Sequence, residues 1–338
     1  MTTVATILDT FSEDCFGLEF DTHCSLRWDD DFNAVIPICD FLFVESAWEG
    51  RDKSWGGVFF GPFWKVFTDL CEICRKNSVP IVYWAKEDPV DYNRFLKIAK
   101  LADYVFTTAS ECVRMYKKDL GHDRVYTLPF AASSFLHYPS PEARLNKVAF
   151  AGTFWTGSHP GRKEFLEKML DVAAEMDMLH IWDRNHGTPE SDRPDRLFPE
   201  RHRKFIQGFL PFSEMASAYR KYLAFFNVNI VSGSSTMFSR RVFEIMACGT
   251  PVITSHSPGI DNILGSAPIT VRSKLEIRNV LENLQDYSLW EKISLSSVKA
   301  VLDGNTYSHR LKKILDVLGL EDLVLDERIE NLKGVIPC

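Results

Sequence analysis

The sequence predicts an α/β protein of two Rossmann-like, doubly wound lobes, and three observations carry that expectation. A chain of 338 residues exceeds what one hydrophobic core usually organises, so two domains of about 150 residues each are expected. Short β-type runs alternate with amphipathic stretches in the first half, the pattern of a parallel sheet. A proline-containing stretch then interrupts the alternation, and the pattern restarts.

In the first half the β-type runs are residues 4–8, 41–45, 79–85, 104–107 and 125–128. Between them, residues 63–75 and 92–101 place apolar side chains three and four apart, as crossover helices do. Residues 129–146 hold three prolines and no sustained period, which reads as a connection between domains. Residues 147–151 then form a strand followed by Gly152, 162–176 a helix, 179–182 a strand, and 188–202 a polar loop. A helix over 215–222 and a β-type run over 223–231 come next. A Ser/Gly-rich loop at 232–235 leads into a helix over 239–248 that Gly249 closes, and into a strand at 251–255. Three amphipathic helices, 275–284, 290–302 and 307–318, finish the chain. The expected domains are 1–145, 146–305, and a helical end, 306–338, that packs back on the first lobe.

Composition narrows the function classes. Apolar residues make up 45% and charged residues 25%, values of an ordinary globular protein. The net charge of −7 gives no general attraction to polyanions, so nucleic acid is not an expected partner, although a local basic pocket is compatible with it. The N-terminus lacks a basic flank and a long apolar run, and no stretch reaches the 18 apolar residues of a membrane helix. A cytoplasmic protein is expected. Eight cysteines scattered through a large chain without a secretory signal read as free thiols. Cys71 and Cys74 form a single C-x-x-C that fits the core face of a helix better than a metal site. The histidines show neither H-x3-H nor H-E-x-x-H spacing, and Asp29, Asp30 and Asp31 lie in a polar loop, so no metal is expected.

Chemistry concentrates between residues 232 and 253, where a strand end, a small-residue loop, a helix and a return strand follow one another. Parallel sheets bind ligands at the carboxyl ends of their strands, beside helix N-termini. Ser234, Ser235 and Thr236 offer hydroxyls to a phosphate, and Arg240 and Arg241 bring two positive charges to a helix start, where the helix dipole opposes them. A bound diphosphate would relieve that conflict. The alternative is a solvated Arg240–Glu244 pair worth about 0.2 to 0.5 kcal/mol. Spacing alone leaves both open.

Residues 242–253, VFEIMACGTPVI, resemble the nucleotide-sugar-binding signature of GT-B glycosyltransferases, in which a glutamate binds the donor ribose. That glutamate would be Glu244. The earlier glutamate of the E-x7-E motif of retaining members falls at Thr236, so only the second is present. Further pieces at 43–48, 83–89, 104–108, 148–152, 181–184, 227–229 and 305–310 are similar to the CgeB-like glycosyltransferases of spore maturation and bacterial surface polysaccharides. Their order spans roughly residues 40 to 310. The resemblance implies two lobes facing a central cleft, acceptor in the first and donor in the second.

On that reading Gly152 and Thr153 turn after the first strand of the second lobe, and Arg162 and Lys163 follow at a helix start, where donor phosphates would lie, the alternative being an ordinary strand-to-helix loop with exposed basic residues. Asp183 and Arg184 end another strand of that lobe, with a ligand role and an ion pair both open. In the first lobe Glu45 ends one strand and Lys86, Glu87 and Asp88 another. Glu87 and Glu45 are the candidates to orient a sugar or deprotonate an acceptor hydroxyl, the alternative being that these strand-end carboxylates are helix caps or salt-bridge partners, and Asp88, before Pro89, suits a cap.

The expected activity is metal-independent transfer of a hexosyl or pentosyl group from a UDP- or GDP-linked donor, with no cofactor. Arg240 and Arg241 would stabilise the leaving diphosphate. The acceptor would be a glycan, a lipid-linked glycan or a protein hydroxyl, in surface polysaccharide or glycoconjugate synthesis. The inner face of the membrane, by peripheral association, is the alternative place. Two rival functions share the fold: a sugar-nucleotide epimerase, and a non-catalytic nucleotide-sugar-binding partner in an assembly complex.

Overall fold

A computed structural model describes residues 2–61, 63–157 and 160–334. The chain forms two six-stranded parallel sheets, in the orders β2-β1-β3-β4-β5-β6 and β12-β11-β10-β7-β8-β9. The strands of the first are β1 Thr3–Ile7, β2 Thr22–Ser25, β3 Phe41–Glu45, β4 Ile81–Ala85, β5 Tyr104–Thr107 and β6 Val125–Thr127. Its helices are α1 Thr10–Phe16, α2 Phe32–Val35, α3 Trp64–Lys76, α4 Tyr92–Ala99 and α5 Ser110–Leu120. Every residue of β3 and β4 is buried, as expected of central parallel strands covered on both faces. Helix α3 buries Phe67, Leu70, Cys71 and Cys74, and α4 buries Tyr92, Phe95, Ile98 and Ala99, each set at three- and four-residue spacing.

The second sheet comprises β7 Leu145–Gly152, β8 Leu179–Asp183, β9 Ile206–Gly208, β10 Tyr222–Asn227, β11 Val252–Ser255 and β12 Ile269–Val271. Around it lie α6 Pro160–Glu175, α7 Glu200–Arg203, α8 Phe212–Lys221, α9 Arg241–Ala247, α10 Pro258–Leu264, α11 Lys274–Asn283 and α12 Tyr287–Leu302. The side chains of Ser273 and Asp286 cap α11 and α12 by accepting from backbone amides of the first turn. Two helices, α13 Tyr307–Leu318 and α14 Leu323–Gly334, close the chain.

The chain changes unit more often than a single boundary allows. One unit contains residues up to Phe135, Ser234–Met237 and Thr306–Asn331, and the other contains Leu136–Gly233 and Phe238–Asn305. Residues 136–145, expected in the first domain, belong to the second. There Arg220 donates to the Leu136 carbonyl, and Arg144 donates to Tyr219 O, Tyr222 O and Thr250 Oγ1. Helix α13 is held in the first unit by its own polar groups. Ser308 Oγ donates to Glu19 Oε2 at 2.8 Å, and Arg310 donates to the carbonyls of Pro129 and Phe130, both at 2.9 Å. Tyr307 packs on Phe16 with ring centroids 4.5 Å apart.

Candidate functional site

Both sheets reverse direction of growth next to their first strand. In the first unit this switch point lies between β1 and β3, and in the second between β7 and β10. Loops leave opposite faces there, and the carboxyl ends of the strands frame a crevice.

In the second unit the crevice is arginine-rich. Arg241, at the start of α9, donates from Nη1 to the carbonyl of Ala151, next to the end of β7. Gly152 makes that approach workable, because a Cβ there would lie 3.1 Å from Arg241 Nη1 and 3.2 Å from Phe150 Cζ. Arg162, in the first turn of α6, donates from Nη2 to Thr153 O at 3.3 Å. Its Nε and Nη1 are buried and meet no acceptor among the described residues. Burial and the neighbouring Arg241 charge push Arg162 down to about 10. Burial likewise lowers Arg241, with Arg240 and Arg184 adding repulsion against the opposing pull of Tyr219 and Glu244. Arginines that depress one another's proton affinity leave an unmet demand for negative charge.

The other expected donor residues divide. Glu244 is 1% exposed, and both its oxygens are engaged, Oε1 by Arg240 and Oε2 by Tyr219 OH at 3.1 Å. Burial works to raise its pKa, but the charges of Arg240 and His137 outweigh this and hold it below the ordinary value. The Arg240–Glu244 pair is therefore formed, but on a buried carboxylate and not as a solvated pair. Asp183, 2% exposed, accepts from Arg193 Nη1 at 2.7 Å and from Asn185 N at 2.9 Å, so its carboxylate is a structural anchor for the 184–193 loop. Thr153 Oγ1 accepts from Asn185 Nδ2 at 3.2 Å. Arg184 is exposed and Lys163 half-buried.

The hydroxyl loop is placed differently from the expectation. Ser234, Ser235 and Thr236 belong to the first unit, where neighbours there already occupy their hydroxyls. Ser234 Oγ donates to Glu111 Oε2 and accepts from Met237 N, both at 2.9 Å. Thr236 Oγ1 donates to Thr108 O at 2.8 Å and accepts from Ser110 N at 2.9 Å, and Ser235 Oγ lies 2.7 Å from Ser110 Oγ. Side-chain caps and backbone acceptors from the β5–α5 turn have thus taken the groups that the sequence offered to a phosphate.

At the switch point of the first unit a buried ion cluster closes the strand ends. Lys86 Nζ bridges Asp9 Oδ2 at 2.7 Å and Glu45 Oε1 at 2.8 Å, with Lys86 1% and Glu45 0% exposed. Asp9 also accepts from the amides of Trp48, Glu49 and Gly50 at 2.8 to 3.1 Å, which fixes the loop after β3. Burial raises Glu45 to about 7, Lys86 pulling the other way and Asp9 adding to the rise. Burial also opposes the charge on Lys86, but the two carboxylates overcome it and raise its pKa. Glu45, expected to face a ligand, is instead walled in by this cluster.

Glu87 remains half-buried. Burial raises its pKa, against the lowering effect of Lys86 and the Trp48 side chain. Asp88 does not cap a helix, since α4 starts at Tyr92. Its carboxylate is buried and accepts from Thr107 Oγ1 at 2.6 Å and Tyr116 OH at 3.2 Å, and burial pushes it up to about 7.

Sequence reasoning missed Asp9, Arg193 and Tyr219, the partners that hold Lys86, Asp183 and Glu244. Asp9 stood at a strand end, a usable signal, whereas Arg193 and Tyr219 carried none. The C-x-x-C thiols of Cys71 and Cys74 are buried and pushed up to about 12 by that burial, which leaves them protonated. Among the described residues no three His, Cys, Asp or Glu side chains gather as a metal ion would need, and no helix is long and apolar enough to cross a membrane.

Known proteins share this architecture. Residues 162–316 match the glycosyl transferase-like family. Spore protein CgeB of Bacillus subtilis (strain 168) is 20% identical over 187 residues, which are 52% of this chain and 55% of that protein. The chain spans about half the length of the curated relative it matches. The structure of the DNA-modifying enzyme β-glucosyltransferase, with and without uridine diphosphoglucose, aligns at a TM-score of 0.60 and 11% identity over 94% of this chain and 100% of that one. Anabaena HepE in complex with UDP and glucose aligns at 0.55 and 12% identity, also over 94% and 100%. The fold is GT-B, with two Rossmann-like lobes. The resemblance to CgeB-like glycosyltransferases, drawn from pieces between residues 40 and 310, agrees with each of these likenesses.

Proposed function

We propose that the protein is a glycosyltransferase whose second unit binds the diphosphate of a nucleotide-sugar and whose first unit activates the acceptor hydroxyl. One observation carries the donor half: at the β7–β10 switch point, Arg162 holds buried N–H groups that meet no acceptor among the described residues, beside a second guanidinium, that of Arg241. An anion with several oxygens answers both the repulsion and the unmet donors, and guanidinium forks suit a phosphate. These arginines would then do the work of a cation on the leaving group, so transfer would proceed without a divalent metal. Arg241 would dominate over Arg240, because Arg240 is committed to Glu244. Glu244 would act by holding Arg240, and would reach a ribose only by releasing one of its two partners.

On the acceptor side the reading rests on Glu87, a half-buried carboxylate just past the end of β4 whose pKa burial raises above the ordinary glutamate value, the direction that makes a carboxylate a stronger general base. A UDP- or GDP-linked hexose or pentose is the proposed donor. A glycan, a lipid-linked glycan or a protein is the proposed acceptor, in a cytoplasmic step of polysaccharide or glycoconjugate synthesis. The matching family is glycosyl transferase-like and lends nothing to an epimerase. Incubation with a panel of UDP- and GDP-sugars in the presence of EDTA tests the proposal. Release of nucleoside diphosphate that quickens with added glycan supports it, and conversion of the donor to an epimer without release would overturn it.

A further inference from the structure

A second unmet donor stands across the switch point from Arg162. Asn227 ends β10, and both it and Asn229 are buried, Asn229 being 4% exposed. Asn227 Nδ2 donates to Asn229 Oδ1 at 3.1 Å and to Thr254 Oγ1 at 3.0 Å. The amide of Ser239 also donates to Asn229 Oδ1, at 3.0 Å. Two N–H donors converging on one atom identify it as the oxygen, so the orientation of the Asn229 amide is settled by its neighbours. Its Nδ2 is therefore a true donor, and it meets no acceptor among the described residues. A buried unpaired N–H is unfavourable and calls for an explanation.

We infer that Asn229 is a ligand-binding residue whose Nδ2 donates to a phosphate oxygen of the nucleotide-sugar, while its Oδ1 anchors Ser239, just ahead of Arg240 and Arg241. This deepens the donor reading above and rests on it. The choice of a phosphate oxygen over a sugar hydroxyl follows from donor counting. A hydroxyl brings a proton that needs its own acceptor, whereas the unmet groups found among the described residues at this switch point, on Arg162 and Asn229, are donors. A phosphate oxygen is an acceptor alone, and its charge strengthens each bond.

The test is calorimetric titration of UDP, GDP and the corresponding sugar nucleotides into wild type, Asn229→Asp and Asn229→Ser, with thermal unfolding of each. Asn229→Asp keeps an oxygen for Asn227 and Ser239 but turns a carboxylate oxygen towards the phosphate. A loss of about thirtyfold or more in diphosphate affinity, with unfolding close to wild type, is expected. Asn229→Ser, too short to reach, should lose about tenfold and stands in if the Asp variant does not fold. Unchanged diphosphate affinity in the folded variants, or a loss confined to the sugar nucleotides, overturns the inference. Absence of UDP and GDP binding by the wild type instead removes the donor reading beneath it.

Discussion

Replacing Lys86 by methionine tests the ion cluster that closes the first unit. Lys86 Nζ is the cation between Asp9 and Glu45 at 2.7 and 2.8 Å, and neither Lys86 nor Glu45 has access to water. Removing one partner of a buried pair leaves an uncompensated charge, at a cost of about 3 to 5 kcal/mol. Glu45 then has an escape that depends on pH. Its folded pKa is already raised to about 7 from 4.5, and a raised carboxylate favours the folded state below its unfolded pKa and loses that contribution as pH rises through the folded value. Without Lys86 the folded value climbs further, so above about pH 7 the variant goes on losing stability with rising pH where the wild type no longer does. Each pH unit in that window is worth up to about 1.4 kcal/mol. The deficit against wild type, measured by denaturant unfolding, should therefore be about 3 to 5 kcal/mol at pH 8 and clearly smaller at pH 6. Adding Glu45→Gln should restore much of the loss at pH 8. A deficit below about 1 kcal/mol, or one indifferent to pH, would refute the cluster as described.

Further outcomes follow from the same geometry. Glu87→Gln should lower turnover by about 10² while leaving nucleoside diphosphate affinity unchanged, and the wild-type rate should fall with acid at a pH above the ordinary glutamate range, since burial raises Glu87. Gly152→Ala should fold but weaken diphosphate binding roughly tenfold, because the new Cβ would displace Arg241 Nη1, 3.1 Å away. Glu244→Gln should cost about 1.5 to 3 kcal/mol in donor affinity by freeing Arg240 from its buried carboxylate, and equal calorimetric affinity would remove that residue from the site.

Much of the fold was legible because period and burial coincide. The runs that became β3 and β4 are apolar throughout, and the three- and four-residue spacing in α3 and α4 matches their buried faces. Strands β2, β9 and β12 were not seen. They are sheet edges of three or four residues, partly exposed, and too short to show a period. The arginines of the site could be placed from a strand-loop-helix pattern, since local sequence decides which element ends where. Their availability could not. Whether Asp183, Glu244 or Thr236 is free for a ligand depends on Arg193, Tyr219 and Thr108, and no periodicity links residues 25 or 128 positions apart. Lys86 shows the same limit, since its two partners lie 77 and 41 residues away.

The central claim is that the arginines at the β7–β10 switch point hold a nucleoside diphosphate. Calorimetric titration of UDP and GDP in EDTA, into wild type and into Arg162→Ala and Arg241→Ala, tests it most directly. The account predicts that at least one of the two nucleotides binds without divalent metal, and that each substitution weakens it about tenfold or more while the protein stays folded. Binding that requires added metal, or that is the same in all three proteins, would contradict it.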